Sequence, residues 1–297
     1  MAPRLSRLFR IALTIICAAA LQTMAHAQDK VRTVQLPWEG TDDEIVVNLA
    51  IGSLRGTMVK WLTSERGVHA ETLLVSIGAI AGLAAQNAVQ ERIKNRDVPG
   101  AHKGMSGPEL AKHLADNNLA VQVTAKSGDV YLYGDLVNGY LVQQSTTIGN
   151  SSLYAILGGA ALQAGVKPGE LPDARAIFRR VSQTIGTPEY GILNPPKPLD
   201  PHYTPRQALE KSWRGVKIIF ERKDGQGIPF AKGRNVKPEY WPLVTALVAR
   251  QFLLWTKDEI DPRVGFALIL ESAIAMSKLD PAKVAQGPAE AREPGAR

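Results

Sequence analysis

Ser64-Glu65-Arg66-Gly67-Val68-His69-Ala70-Glu71 crowds two carboxylates, a guanidinium and an imidazole into one short connection. An imidazole beside a carboxylate can take up a proton near neutral pH while the carboxylate orients its ring, so His69 with Glu65 and Glu71 is a candidate general base. Asp135, in Gly134-Asp135-Leu136-Val137-Asn138-Gly139-Tyr140, is the second candidate acid. Each has a structural use as well. Glu71 suits the first turn of a helix, where the dipole favours an acid, and Asp135 suits a helix cap ahead of an Asn-Gly turn. No serine is tied to the imidazole by spacing, so the chemistry these residues would support is that of a small metal-free hydrolase.

Other chemistries lack their residues. The histidines beyond the leader are His69, His102, His113 and His202, and they form neither a His-x-x-x-His nor a His-Glu-x-x-His pattern. Phosphate-cradling loops, a dinucleotide fingerprint after a strand and a Gly-x-Ser-x-Gly elbow are also missing. No cofactor or metal is expected. The single cysteine, Cys17, lies in the N-terminal apolar run, so the rest of the chain has no disulfide or thiolate chemistry.

The element that must position His69 and Glu71 begins beside them. Leu73 to Val89 is apolar or small on nearly every face and carries no charge. A helix apolar all round, and shorter in its apolar part than the roughly 20 residues needed to span a bilayer, belongs at the centre of a helical core. Val75, Gly78, Gly82, Ala85 and Val89 recur at spacings of three and four, a line along which another helix can approach closely. Gly52 and Gly56, or Gly158-Gly159 with Ala161, are the expected partners, within one chain or across a homodimer.

The flanking elements follow from caps and breakers. Thr41-Asp42-Asp43-Glu44 reads as a capping box for a helix over about 43–65, with Ile45, Leu49, Gly52, Gly56 and Val59 on one side. Val121, Val123 and Ala125, a Ser-Gly-Asp turn and Val130 to Tyr133 predict a β-hairpin at about 120–134. Further helices are expected over 106–116, 135–142, 153–164, from Pro172-Asp173 to Gly186, from Thr204-Pro205 to Glu221, and over 239–257 and 261–278. Six prolines between 187 and 205 make a stiff connector.

The predicted architecture is mainly α, a single helical domain around a buried Gly/Ala-rich helix with one hairpin. Residues 1–27, with Arg4, Arg7 and Arg10, an apolar Ile11–Leu21 and Ala25-His26-Ala27, read as a secretory signal peptide cleaved after Ala27. Residues 28–40 form an extended lead-in, 41–280 the domain and 281–297 a disordered tail. The mature chain is then periplasmic or secreted, with no stable membrane span. The alternative is N-terminal anchoring to the inner membrane. The net charge of +7 falls to +4 once the three leader arginines are removed. The charges are interspersed, which excludes a nucleic-acid footprint.

Glu65 to Leu74 running into the Gly78 helix, Gly134-Asp135-Leu136, Gly158-Gly159-Ala160-Ala161, Trp241-Pro242-Leu243 and Met276 to Pro281 together resemble an uncharacterised bacterial protein family over roughly residues 56–281. No activity attaches to that family, so the resemblance implies no catalytic residue. The expected function is a non-enzymatic exported binding or assembly module, acting on a protein partner or by self-association, with the hydrolase as the alternative.

Overall fold

The computed structural model describes residues 36–65, 67–95, 109, 113, 116, 120–124, 130–134, 153–185, 187–193, 199–221, 235–279 and 284. In chain order the elements are α1 (Glu44–Leu62), the two-residue strands β1 (Thr63–Ser64) and β2 (Gly67–Val68), α2 (Ala70–Asn95), β3 (Ala120–Thr124), β4 (Val130–Gly134), α3 (Leu153–Gln163), α4 (Ala174–Gln183), α5 (Pro205–Glu221), α6 (Trp241–Trp255) and α7 (Pro262–Met276). Single 3-10 turns lie at Pro168–Glu170 and Pro238–Tyr240. The chain is mainly helical, as predicted. The expected hairpin is present, antiparallel, with Ala120 opposite Gly134 and Thr124 opposite Val130. A second, minimal pair, Thr63 opposite Val68, was not foreseen. Gly67 there has φ +96°, a left-handed backbone that glycine adopts without strain beside so tight a turn.

α2 is the central helix. It packs on α7, α6 and α5, with α1 alongside, and Thr72 to Ala85 is buried without interruption. Its small-residue line is used inside the chain, but by a different partner from the ones expected. A Cβ at Gly78 would meet the backbone of Ile269, and one at Gly82 would lie 2.8 Å from the carbonyl carbon of Ala273, both on α7. Ser272 Oγ, fully buried, donates 2.7 Å to the Val75 carbonyl across the same contact. The expected partners are elsewhere: a Cβ at Gly52, Gly56 or Gly159 would meet nothing within 4 Å.

The inner side of α1 is also the reverse of the expectation. Val46, Val47, Ala50, Leu54 and Met58 are buried, whereas Ile45, Gly52 and Gly56 are exposed. The helix is apolar on two opposite stripes, so periodicity did not distinguish them. Its start is a variant of the capping box. Thr41 Oγ1 accepts the Asp43 N–H at 3.2 Å, and the Glu44 carboxylate accepts from Gly40 N at 2.8 Å. Just before it, Trp38 is completely buried and meets Tyr240 edge-on at 5.5 Å. The end of the lead-in is therefore held by its indole, not loosely extended.

The remaining helices start and stop where local chemistry dictates. Gly165, at φ +96°, ends α3. Asp173 Oδ1 accepts from Ala176 N at 3.1 Å ahead of α4, and Asp261 Oδ1 accepts from Arg263 N at 2.9 Å ahead of α7. Trp213 and Phe220 of α5 pack on Trp241 of α6, whose indole N–H donates to the Val236 carbonyl at 2.9 Å. The predicted helices over 106–116 and 135–142 lie mostly or wholly outside the described residues.

Candidate functional site

His69 stands immediately before α2, and its carbonyl accepts the Leu73 N–H at 3.0 Å, the first turn of the helix. Three groups surround its ring. Glu71 Oε2 is 3.4 Å from Nε2, and Thr72 Oγ1 is 2.8 Å from Nδ1. The third is His202, from the proline-rich connector, stacked on it at 3.9 Å between centroids and 17° between planes. The His202 backbone N–H also donates to Thr72 Oγ1, at 3.0 Å.

Thr72 Oγ1 accepts from the His202 N–H and keeps one hydrogen and one lone pair, so it meets Nδ1 as donor or acceptor according to the ring tautomer. In the tautomer with its N–H on Nε2, facing the Glu71 carboxylate, Nδ1 takes the Thr72 hydrogen. The result has the connectivity of a carboxylate–imidazole–hydroxyl relay, but its hydroxyl is bonded on both sides and Thr72 is only 2 % exposed. It works as a clamp that fastens the connector to the N-terminus of α2. Thr72→Val keeps the shape and strands the His202 N–H, so it should destabilise the fold by about 1–3 kcal/mol in denaturant titration.

Of the sequence candidates, the structure brings His69 and Glu71 together. Glu65 is exposed in the turn between β1 and β2, and among the described residues no contact joins it to the cluster. Asp135 lies outside the described residues. Thr72 and His202 were missed. Thr72 is one apolar-helix residue among many, and His202 is far away in sequence, in a segment whose only local signal is stiffness.

A pocket of about 260 Å3 opens one turn further along α2. It shares residues with the clamp's neighbours: Ser76 is bonded through its hydroxyl to the Thr72 carbonyl at 2.6 Å, and Tyr203 follows His202. Met58, Trp61 and Leu62 of α1 make the apolar wall. Trp61 can lie there because Gly215 of α5 has no side chain; a Cβ at that position would collide with the indole. The rest of the lining is Ser76, Tyr203, Ala208, Ser212 and Lys211, whose ammonium stands 4.9 Å from the Tyr203 ring centre. Ser76 and Ser212 each donate to the carbonyl four residues back on their own helix, at 2.6 Å. What they offer the pocket is therefore lone pairs. The volume lies just under the roughly 300–1,000 Å3 typical of small-molecule sites.

Among the described residues, no group of three or more His, Cys, Asp or Glu side chains could hold a metal ion. No family model, curated protein or solved structure matches the chain.

Proposed function

We propose that the chain is a non-enzymatic binding module whose pocket between α1, α2 and α5 takes a small organic anion with an apolar body. The observation that carries the reading is the pocket's wall. Its lining combines apolar and aromatic side chains with one cation and two serine hydroxyl acceptors. Such a wall fits a carboxylate at Lys211, a short hydrocarbon or aryl body against Met58 and Trp61, and a hydroxyl or amine donor toward Ser76 and Ser212. The His69–Thr72–His202 clamp holds the connector carrying Tyr203, so its role here is positioning. The basic, apolar, small-x-small leader supports export to the periplasm or beyond, with an N-terminal anchor as the alternative, and a chain beginning at Gln28 in native cell fractions would establish it.

The test is titration with hexanoate, phenylacetate and para-hydroxyphenylacetate, followed by amide chemical shifts of residues 58–62 and 203–212. Binding should be saturable, and Lys211→Glu should weaken it at least about tenfold. Shifts scattered over the surface, or affinity unchanged in Lys211→Glu, would sink the reading. Hydrolysis stands second, on the His69–Glu71 contact. Turnover of an ester panel that is lost in His69→Ala would move the conclusion to it.

A further inference from the structure

The layer formed by α1, α6 and α3 has an outer face that the core does not use. α6 lies between the other two helices. Arg55 Nη1 of α1 donates to Gln251 Oε1 of α6 at 3.4 Å, and Arg250 Nη2 of α6 donates to Gln163 Oε1 of α3 at 2.9 Å. α1 and α6 run parallel: Asp43 meets Lys237 before α6, and Arg55 meets Gln251 some three turns on. One turn later the two helices bring Val59 and Trp255 to the same level. Ile45 is 59 % exposed, Trp255 60 % and Leu162 42 %. Between them the exposed Gly52 and Gly56 leave the surface flat.

Along the middle of this layer the charge is of one sign. Between Ile45 and Leu62, and throughout α3 and α6, the charged residues are Arg55, Lys60 and Arg250, with no acid. Both arginines contact neutral amides, so their charge is not cancelled there. The acids Asp42, Glu44, Asp258 and Glu259 stand at the helix ends, and Asp43 engages Lys237 at 2.6 Å. α1 has mean hydropathy 1.2, enough with its 19 residues to cross a bilayer by length and composition, yet only 28 % of it is buried. Its other stripe, Val46, Val47, Ala50, Leu54 and Met58, is locked into the core.

We propose that this face docks flat on an anionic lipid bilayer. Apolar side chains would enter the headgroup boundary, basic side chains at the rim would meet lipid phosphates, and Trp255 would sit at the interfacial depth that indoles favour. A second copy of the chain is the competing occupant. A two-fold contact sets the same patch against itself, and about an axis through the middle of this layer that would set Arg55 and Arg250 against their own copies. Charge therefore selects the membrane.

The test uses the full chain with Cys17→Ser and one cysteine, at Gly52 or at Arg206 of α5, carrying an environment-sensitive dye. Vesicles are phosphatidylcholine alone or with phosphatidylglycerol. The dye at Gly52 should shift to the blue and resist acrylamide with phosphatidylglycerol present, while the dye at Arg206 stays aqueous, wherever the leader resides. Arg55→Glu, Lys60→Glu and Arg250→Glu should each lower partitioning roughly fivefold or more. A Gly52 dye that stays aqueous, or both dyes shifting alike, overturns the proposal. A Gly52 shift that grows with protein concentration without lipid assigns the face to a second copy and overturns it too.

Discussion

Gly82→Ala should cost at least about 3 kcal/mol of stability, whereas Gly52→Ala should add up to about 1 kcal/mol. The two changes are chemically identical and both glycines are helical. Alanine gains on glycine in any helix, because the glycine backbone loses more freedom on folding. At Gly52 nothing lies within 4 Å of the new methyl, so that gain stands alone. At Gly82 the methyl would collide with the Ala273 carbonyl, a backbone atom that no side-chain rotation can move. Relief requires α2 and α7 to separate, which strands the Ser272–Val75 hydrogen bond and loosens the most extensive helix contact among the described residues. Paired urea titrations would read both signs. A Gly82→Ala protein as stable as the parent would mean that the α2–α7 approach is looser than described.

Arg180→Ala should destabilise the protein by about 1–3 kcal/mol at neutral pH and by little near pH 4. Glu271 of α7 is 4 % exposed and its partner is Arg180 of α4. Burial pushes the Glu271 carboxyl above its ordinary value, and Arg180 opposes this. Breaking a fully buried pair costs about 3–5 kcal/mol, and the lower figure used here allows for Arg180 being half-exposed. The sign of the pH dependence follows from the raised value. A carboxyl raised on folding contributes its full stability when protonated, below its unfolded value, and loses it as pH climbs through the folded one. Without Arg180 the folded value rises further, so the loss grows with pH. Glu271→Gln should flatten stability across this window, and the double variant should recover most of what Arg180→Ala loses. A loss independent of pH would mean that Arg180 acts by packing alone.

The candidate site was half legible. His69 and Glu71 could be read because one short connection and the start of one helix hold them both. Thr72 was hidden in an apolar run where a hydroxyl looks incidental, and Lys211 and Trp61 are ordinary residues on their own helices. Gly215 could not be read as the space for an indole because Trp61 sits on another helix. Long-range stacking, such as His69 on His202, leaves no trace in local spacing.

By itself the sequence determined that this is a mainly helical chain, that the apolar run from Leu73 is its buried centre, that a hairpin lies near residues 120–134, and where the helices opened by Asp173 and by Thr204-Pro205 begin. Those are consequences of composition and of interactions within about a turn. Only the tertiary structure decided which helix fills the Gly78–Gly82 line, because several helices offer small residues and only α7 brings its backbone there. It also decided which stripe of α1 faces inward. Both stripes are apolar, so the choice falls to shape complementarity with α5 and α6, and the stripe left outside is the one whose charge and flatness carry the membrane proposal.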